Sequence, residues 1–220
     1  MYRAIIGCVS ANTIAYRGKG NIYLNLTNRC SCSCTFCLRQ FTTEVYGYDL
    51  KLDAEPEVDE IVRALEIEFI DGPAHQVVFC GLGEPTMRLD AVLRVSEWLR
   101  LRRIPSRLDT NGHGALLNPG RDVVGELGAA GLQAVSVSLN AADPVTYDEL
   151  CRPMFSKAYR AVIGFAQRCV EQGLLTTITA LDQPGADLTG CEAIALAMGA
   201  EFRPRKLVQP YDRQRDKGGV

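Results

Sequence analysis

Residues 76–99 read QVVFCGLGEPTMRLDAVLRVSEWL. A short β-rich run over 76–80 ends in Gly81 and Gly83, and Leu89, Val92, Leu93 and Leu99 then fall at helical spacing. The order is strand, glycine loop, helix, and it recurs on both sides. Upstream, NIYLNL over 21–26 alternates polar and apolar residues as a half-buried strand does. After a polar, aromatic-dotted stretch over 39–52 come Val58, Ile61, Val62, Leu65 and Phe69 at helical spacing, with Glu57, Asp59 and Glu60 near the positive helix start. Downstream, residues 107–110 run into the turn Asn111-Gly112 and a helix over about 121–130. AVSVSL over 134–139 leads to helical segments on either side of Arg152-Pro153. A strand over 174–181 precedes a helix carrying Leu188, Cys191, Ile194 and Ala195, and a sixth strand closes the set over 201–207. Strands that alternate with helices build parallel sheets, because parallel neighbours need a long crossover. The pattern predicts an α/β fold, a single-domain partial (βα)6 TIM-like barrel with parallel strands. Its expected parts are an N-terminal extension over 1–20, a core domain over 21–210 and a polar tail over 211–220. No residue-level repeat or linker composition divides the core.

Composition narrows the class. The 220 residues are 47% hydrophobic and 23% charged, which excludes a disordered chain. A domain of this length buries roughly 70% of its unfolded surface and needs no cross-links. Its nine cysteines therefore call for another reason, and four of them crowd into residues 30–37. They read as ligands in a reducing compartment, which places the protein in the cytoplasm. The formal charge of -2 gives no global pull towards nucleic acid or an anionic membrane, and neither partner is expected. No run approaches the roughly 18 apolar residues of a membrane span. Ile5-Ile6-Gly7-Cys8 imitates a bacterial lipidation site, but too few residues precede it for a signal peptide, and Cys8 reads as a buried hydrophobe.

Parallel βα folds gather binding and catalytic residues at the C-terminal ends of their strands, where helix N-termini and free backbone groups collect. Those ends carry the unusual clusters: Cys30, Cys32, Cys34 and Cys37; Gly81-Leu82-Gly83-Glu84-Pro85; Asp109-Thr110-Asn111-Gly112; and Ser138-Leu139-Asn140. Cys30, Cys34 and Cys37 have the spacing C-x3-C-x2-C, which lets one loop wrap an iron–sulfur cube and leaves one iron open. A tetrahedral zinc or electron-transfer site using Cys32 as a fourth ligand is the alternative.

Together with Phe36, these motifs resemble the signature of radical S-adenosylmethionine (SAM) enzymes. Residues 16–39, YRGKGNIYLNLTNRCSCSCTFCLR, with CGLGEPT, SLNAADPVTYDELCRP and GAEFRPR, look most like the TatD-linked radical SAM proteins. The resemblance implies a 4Fe-4S cluster on Cys30, Cys34 and Cys37, with SAM on the open iron. The cluster electron cleaves SAM to methionine and a 5'-deoxyadenosyl radical that takes hydrogen from a substrate. It also implies an electron donor such as flavodoxin or ferredoxin, and a small-molecule or protein substrate that no motif identifies. Glu84 matches the family's glutamate near the SAM amino group, with Gly81 and Gly83 allowing close backbone approach. Leu82 stands where the common pattern has glycine. Asp109, Thr110 and Asn111 are similar to a motif of glycyl-radical-enzyme activases that lies near SAM. Ser138 and Asn140, on one side of their strand by period two, are implied near the ribose, and Phe36 near adenine. No catalytic residue is singled out. Glycyl-radical activation and chemistry like that of 7-carboxy-7-deazaguanine synthase are the alternatives within the class.

The remaining candidates have simpler readings. His113 is close enough to reach the site but reads as a surface or hydrogen-bonded residue. Cys80, Cys151, Cys169 and Cys191 read as packing. The aromatic stretch over 40–48 reads equally as a substrate cover and as a flap on the barrel wall. The basic residues over 203–217 read as a solvated end.

Overall fold

The structure, a computed structural model, describes residues 12–206. The expected polar tail, Cys8 and the lipidation lookalike lie outside the described residues. In chain order the elements are β1 (Ala15–Gly18), β2 (Asn21–Asn25), β3 (Glu44–Val45), β4 (Tyr48–Asp49), α1 (Val58–Ile70), β5 (Val77–Cys80), α2 (Leu89–Leu101) and β6 (Ser106–Thr110). The second half comprises α3 (Gly114–Leu117), α4 (Val123–Ala129), β7 (Ala134–Ser138), α5 (Pro144–Cys151), α6 (Ala158–Glu171), β8 (Leu175–Asp182), α7 (Leu188–Ala197) and β9 (Glu201–Lys206).

Seven strands form one sheet in the order β1-β2-β5-β6-β7-β8-β9. All neighbours are parallel except β1, which pairs antiparallel with β2. The six parallel strands are the six units of the sequence pattern. β1 and β9 do not pair, so the sheet curves as a partial barrel and does not close. The periodicity missed β1, a four-residue strand whose pattern is too short to read, and the one-turn helix α3.

Strand alternation separates two faces. Ile22, Leu24, Val77, Phe79, Leu108, Val135, Val137 and Ile178 are buried in the core with Ile61 and Leu65 of α1, Val92, Val95 and Leu99 of α2, and Val162 and Phe165 of α6. The register places Tyr23 and Asn25, Val78 and Cys80, Arg107 and Asp109, Ser136 and Ser138, Thr177 and Thr179, and Arg203 and Arg205 on the other, inner face. A sheet with one apolar and one polar face needs helices on one side only, and the polar side is left as the barrel interior.

The aromatic stretch forms the β3–β4 hairpin on the wall. Tyr46 lies 5.8 Å from Tyr23 and Tyr48 lies 5.6 Å from Tyr16, ring centre to ring centre, while Tyr16 stacks on Tyr23 at 5.4 Å. Among the described residues no helix is long and apolar enough to cross a membrane.

Candidate cofactor site

The four clustered cysteines leave β2 on a loop tied at both ends. At its entry, the Asn28 side chain exchanges hydrogen bonds with the backbone of Leu52 (2.7 and 3.1 Å), and Arg29 pairs with Glu55 at 2.6 Å. Further on, Ser33 N–H donates to the Arg152 carbonyl (3.1 Å), Thr35 N–H to that of Leu150 (2.9 Å), and Met154 N–H to that of Ser31 (2.9 Å). The partner segment is free to do this because α5 ends there: Arg152 turns into the left-handed region at φ 45° and Pro153 cannot continue the helix.

Within the loop the cysteines divide. Cys32 is buried and its backbone bridges to Pro153, whereas Cys30, Cys34 and Cys37 are half-buried. Asn111 Nδ2 lies 3.7 Å from the sulfurs of both Cys30 and Cys32. Cys32 sits between Cys30 and Cys34 and donates towards them, so its own thiol is pushed far up. Receiving those hydrogen bonds favours thiolate: the pKa of Cys30 falls, helped first by Cys32, and that of Cys34 falls to about 4, helped first by Cys151 and then by Cys32. Arg39, anchored on the Asn28 carbonyl at 2.7 Å, adds a cation beside Cys37, Cys30 and Cys34. Among the described residues no three His, Cys, Asp or Glu side chains converge on a single metal ion. Three half-buried thiols on one loop, with a cation beside them, are a donor set that suits the corners of an iron–sulfur cube.

The glycine loop after β5 rests on the entry to this cysteine loop. Glu84 N–H donates to the Arg29 carbonyl at 2.8 Å, and a Cβ at Gly83 would land on the carbonyl oxygens of Thr27 and Arg29. Gly81 has φ 102°, a conformation that strains any side chain, but Leu82 is not among the positive-φ residues. The departure from a double glycine therefore leaves the backbone unstrained. Glu84 is buried and accepts from Thr86 N–H (3.0 Å), Thr86 Oγ1 (2.7 Å), Thr110 Oγ1 (2.7 Å) and Asn111 N–H (2.7 Å). All four donors are neutral, and burial raises the Glu84 pKa despite them. A cationic amino group beside Oε2 would relieve that cost. A second opening lies at Asn140, whose buried Oδ1 has no donor among the described residues. Both features fit a bound polar cosubstrate.

The other sequence-derived candidates part company. Asp109 faces the barrel interior and is paired with Arg107 at 2.7 Å, while Thr110 faces the opposite way, to Glu84. Ser138 faces the interior and accepts from Arg205 Nη2 at 3.3 Å. Asn140 does not share its side. β7 ends at Ser138, and Asn140 is left-handed at φ 63°, which turns its amide to Cys151 Sγ at 3.9 Å. The period-two expectation fails because the strand stops before it applies. Phe36 packs, half-buried, against the core.

His113 is the hydrogen-bonded residue the sequence allowed for, and both it and Cys151 adjoin the cysteine loop. His113 is fully buried, with Nδ1 at 2.9 Å from Ser31 Oγ and Nε2 at 2.9 Å from Tyr147 Oη. Asn111 Nδ2 donates to the same Ser31 oxygen at 2.9 Å. Burial pushes the His113 pKa down to about 4, against a small opposing pull from Cys34, so the ring is neutral and donates from one nitrogen while accepting at the other. Cys151, read as packing, reaches Cys34. Its position 117 residues beyond Cys34 leaves no local signal. Cys169 and Cys191 are buried, and desolvation pushes their thiols up to about 12 and 11, which suits inert packing. Two shallow depressions beside α5 and α6, lined by Arg152, Met154 and Phe155 and by Pro144, Lys157 and Tyr159, include none of the loop cysteines.

A half-open βα barrel with three half-buried cysteines, a buried glutamate and a glycine loop on one rim defines a cofactor-dependent α/β protein whose site lies at the strand ends. The profile of the radical SAM superfamily matches residues 24–189, and the chain belongs to that family. It is an enzyme family that uses a 4Fe-4S cluster and SAM. The chain is 33% identical over 201 residues to GTP 3',8-cyclase of Streptomyces coelicolor, covering 88% of this chain and 54% of that protein. It is 28% identical over 116 residues to a protein of Methanocaldococcus jannaschii named as a glycyl-radical enzyme activating enzyme, covering 51% and 42%. The chain thus spans about half the length of these relatives. Among solved structures it resembles TYW1 with a lysine–pyruvate adduct (TM-score 0.64, 13% identity, 87% of this chain and 66% of that one). SuiB of Streptococcus suis bound to SAM is similar at TM-score 0.62 and 20% identity, over 88% and 41%. At these identities the structural likeness speaks for the fold alone.

Proposed function

We propose that this chain is the radical-generating core of an enzyme that cleaves SAM reductively to methionine and a 5'-deoxyadenosyl radical, which abstracts hydrogen from a substrate. The observation that carries the reading is the placement of three half-buried thiols, Cys30, Cys34 and Cys37, beside the Arg39 cation on the rim that also holds buried Glu84. These cysteines hold the cluster, which supplies one electron to the SAM sulfonium. Glu84 Oε2 takes the SAM amino group, and the unpaired Asn140 Oδ1 accepts from the cosubstrate. Asn111 orients the loop by donating to Ser31, and Gly81 and Gly83 keep the backbone close. The partial barrel screens the reacting centre from water.

The sequence stretches quoted above support membership of the TatD-linked subgroup. The eight cysteines among the described residues are all free, which supports a reducing compartment, the cytoplasm. Flavodoxin or ferredoxin is the electron donor in this reading. The substrate is a small molecule or a protein. The relative named as a glycyl-radical activating enzyme supports the second reading, in which the hydrogen comes from a backbone glycine.

The test is anaerobic reconstitution with iron and sulfide, reduction, addition of SAM, and chromatography for 5'-deoxyadenosine and methionine. Both products are expected. A reduced, cluster-loaded sample that leaves SAM intact refutes the proposal. Incubation with glycyl-radical proteins, followed by electron spin resonance, separates the two substrate classes.

A further inference from the structure

The inner face of the sheet holds a charge imbalance. Arg107 is neutralised by Asp109. On β9 the register sets Arg203 opposite Thr179 and Arg205 opposite Leu181, and alternation puts both arginines on the inner face. The Arg205 contact with Ser138 Oγ, two strands away, fixes that direction. Neither Arg203 nor Arg205 forms an ion pair among the described residues, and each lies in the field of the other. The nearest acidic groups on this face are Asp109, already engaged, and Glu201 at the far end of β9.

Arg205 is exposed, and desolvation by the protein around it lowers the pKa of its guanidinium. Ser138 is the last residue of β7, so its contact with Arg205 puts that guanidinium at the strand ends, on the rim that carries the cysteine loop. Two like charges two residues apart on a strand repel each other, and an anion between them reverses the sign of the interaction. The planar guanidinium fork suits phosphate and carboxylate oxygens.

We propose that Arg203 and Arg205 form an anion subsite in the barrel interior that grips a phosphate or carboxylate of the substrate and holds it in front of the cysteine loop. The proposal rests on the reading of this rim as the SAM-cleaving site and adds the chemical class of the substrate. Such a grip is a specificity device: an uncharged analogue leaves two arginines unpaired.

Calorimetry on the full chain, cluster-loaded and cluster-free, with inorganic pyrophosphate and with succinate tests it, and the stronger of the two tells phosphate from carboxylate. Saturable binding of one probe is expected. Arg203→Gln and Arg205→Gln should each weaken it by about tenfold or more, the loss of one charge-assisted contact. Arg94→Gln, an exposed residue of α2, should leave it unchanged. The Arg203 side chain makes no hydrogen bond among the described residues, so its variant carries the test if Arg205→Gln fails to fold. Absence of binding by either probe, or equal affinity in wild type and Arg203→Gln, overturns the subsite. So does a result in which the variants weaken SAM binding and not the probe, which assigns the arginines to the cosubstrate. SAM cleavage is measured on the same samples: its absence with intact anion binding strikes the radical reading, and intact cleavage without anion binding strikes this one.

Discussion

Replacing His113 with glutamine should flatten part of the acid side of the stability curve. The imidazole is fully buried between Ser31 and Tyr147 and is neutral, with a pKa of about 4 against 6.5 for a free histidine. A base whose pKa is depressed by folding takes up its proton in the unfolded chain first. Its contribution is therefore complete above about pH 6.5 and is lost as the pH falls towards 4. Between pH 7 and pH 4.5 the two titrations differ by about 2.5 kcal/mol, from 1.36 kcal/mol per pKa unit. Glutamine keeps a donor and an acceptor but has no proton to gain. At pH 7 the variant should be less stable by about 1–3 kcal/mol, because one of the two ring partners is left imperfectly paired. By pH 4.5 that gap should close or reverse. The assay is urea unfolding of the cluster-free protein at pH intervals across this window, with carboxylate titrations cancelling in the comparison. Parallel curves for wild type and variant would falsify the account, since they would mean that the ring does not titrate differently on folding.

Three further outcomes follow from the same geometry. Cys34→Ala should lose nearly all bound iron after reconstitution, whereas Cys32→Ala should retain most of it; equal loss in the two would favour a four-cysteine site. Gly83→Ala drives a methyl group onto two backbone carbonyls of the cysteine loop, and should cost about 1–3 kcal/mol in unfolding and lower iron content, while Gly164→Ala in α6, which meets nothing within 4 Å, should stabilise by about 0.5–1 kcal/mol. Glu84→Gln points an amide N–H at a neutral donor inside a buried network, so unfolding should show a loss of about 1–3 kcal/mol and SAM affinity should fall; an unchanged KM for SAM would argue against its contact with the cosubstrate.

Local rules carried the reading of the chain a long way, for reasons that belong to local physics. Period-two runs at 21–26, 76–80 and 134–139 and helical stripes such as Leu89, Val92 and Leu99 reflect burial on one face, so they appear wherever an element is long enough to repeat. β1, with four residues, and α3, with one turn, are too short to repeat and were invisible. The C-x3-C-x2-C spacing is also local, since one loop supplies all three ligands.

What joins the loops is not local. His113 meets both Ser31 and Tyr147 only because β2, β6 and α5 come together on the same rim. Cys151 reaches Cys34 because α5 stops at Arg152 and pairs with the cysteine loop. Asn140 leaves the face of Ser138 because β7 ends one step too soon, and Arg203 and Arg205 become neighbours of the site only through the β8–β9 register. The order of residues determined the units, the family and the cysteine loop, since these depend on spacing along one chain segment. The tertiary structure decided which polar groups share the interior, because strand register and helix ends set the direction of a side chain and no periodicity records them.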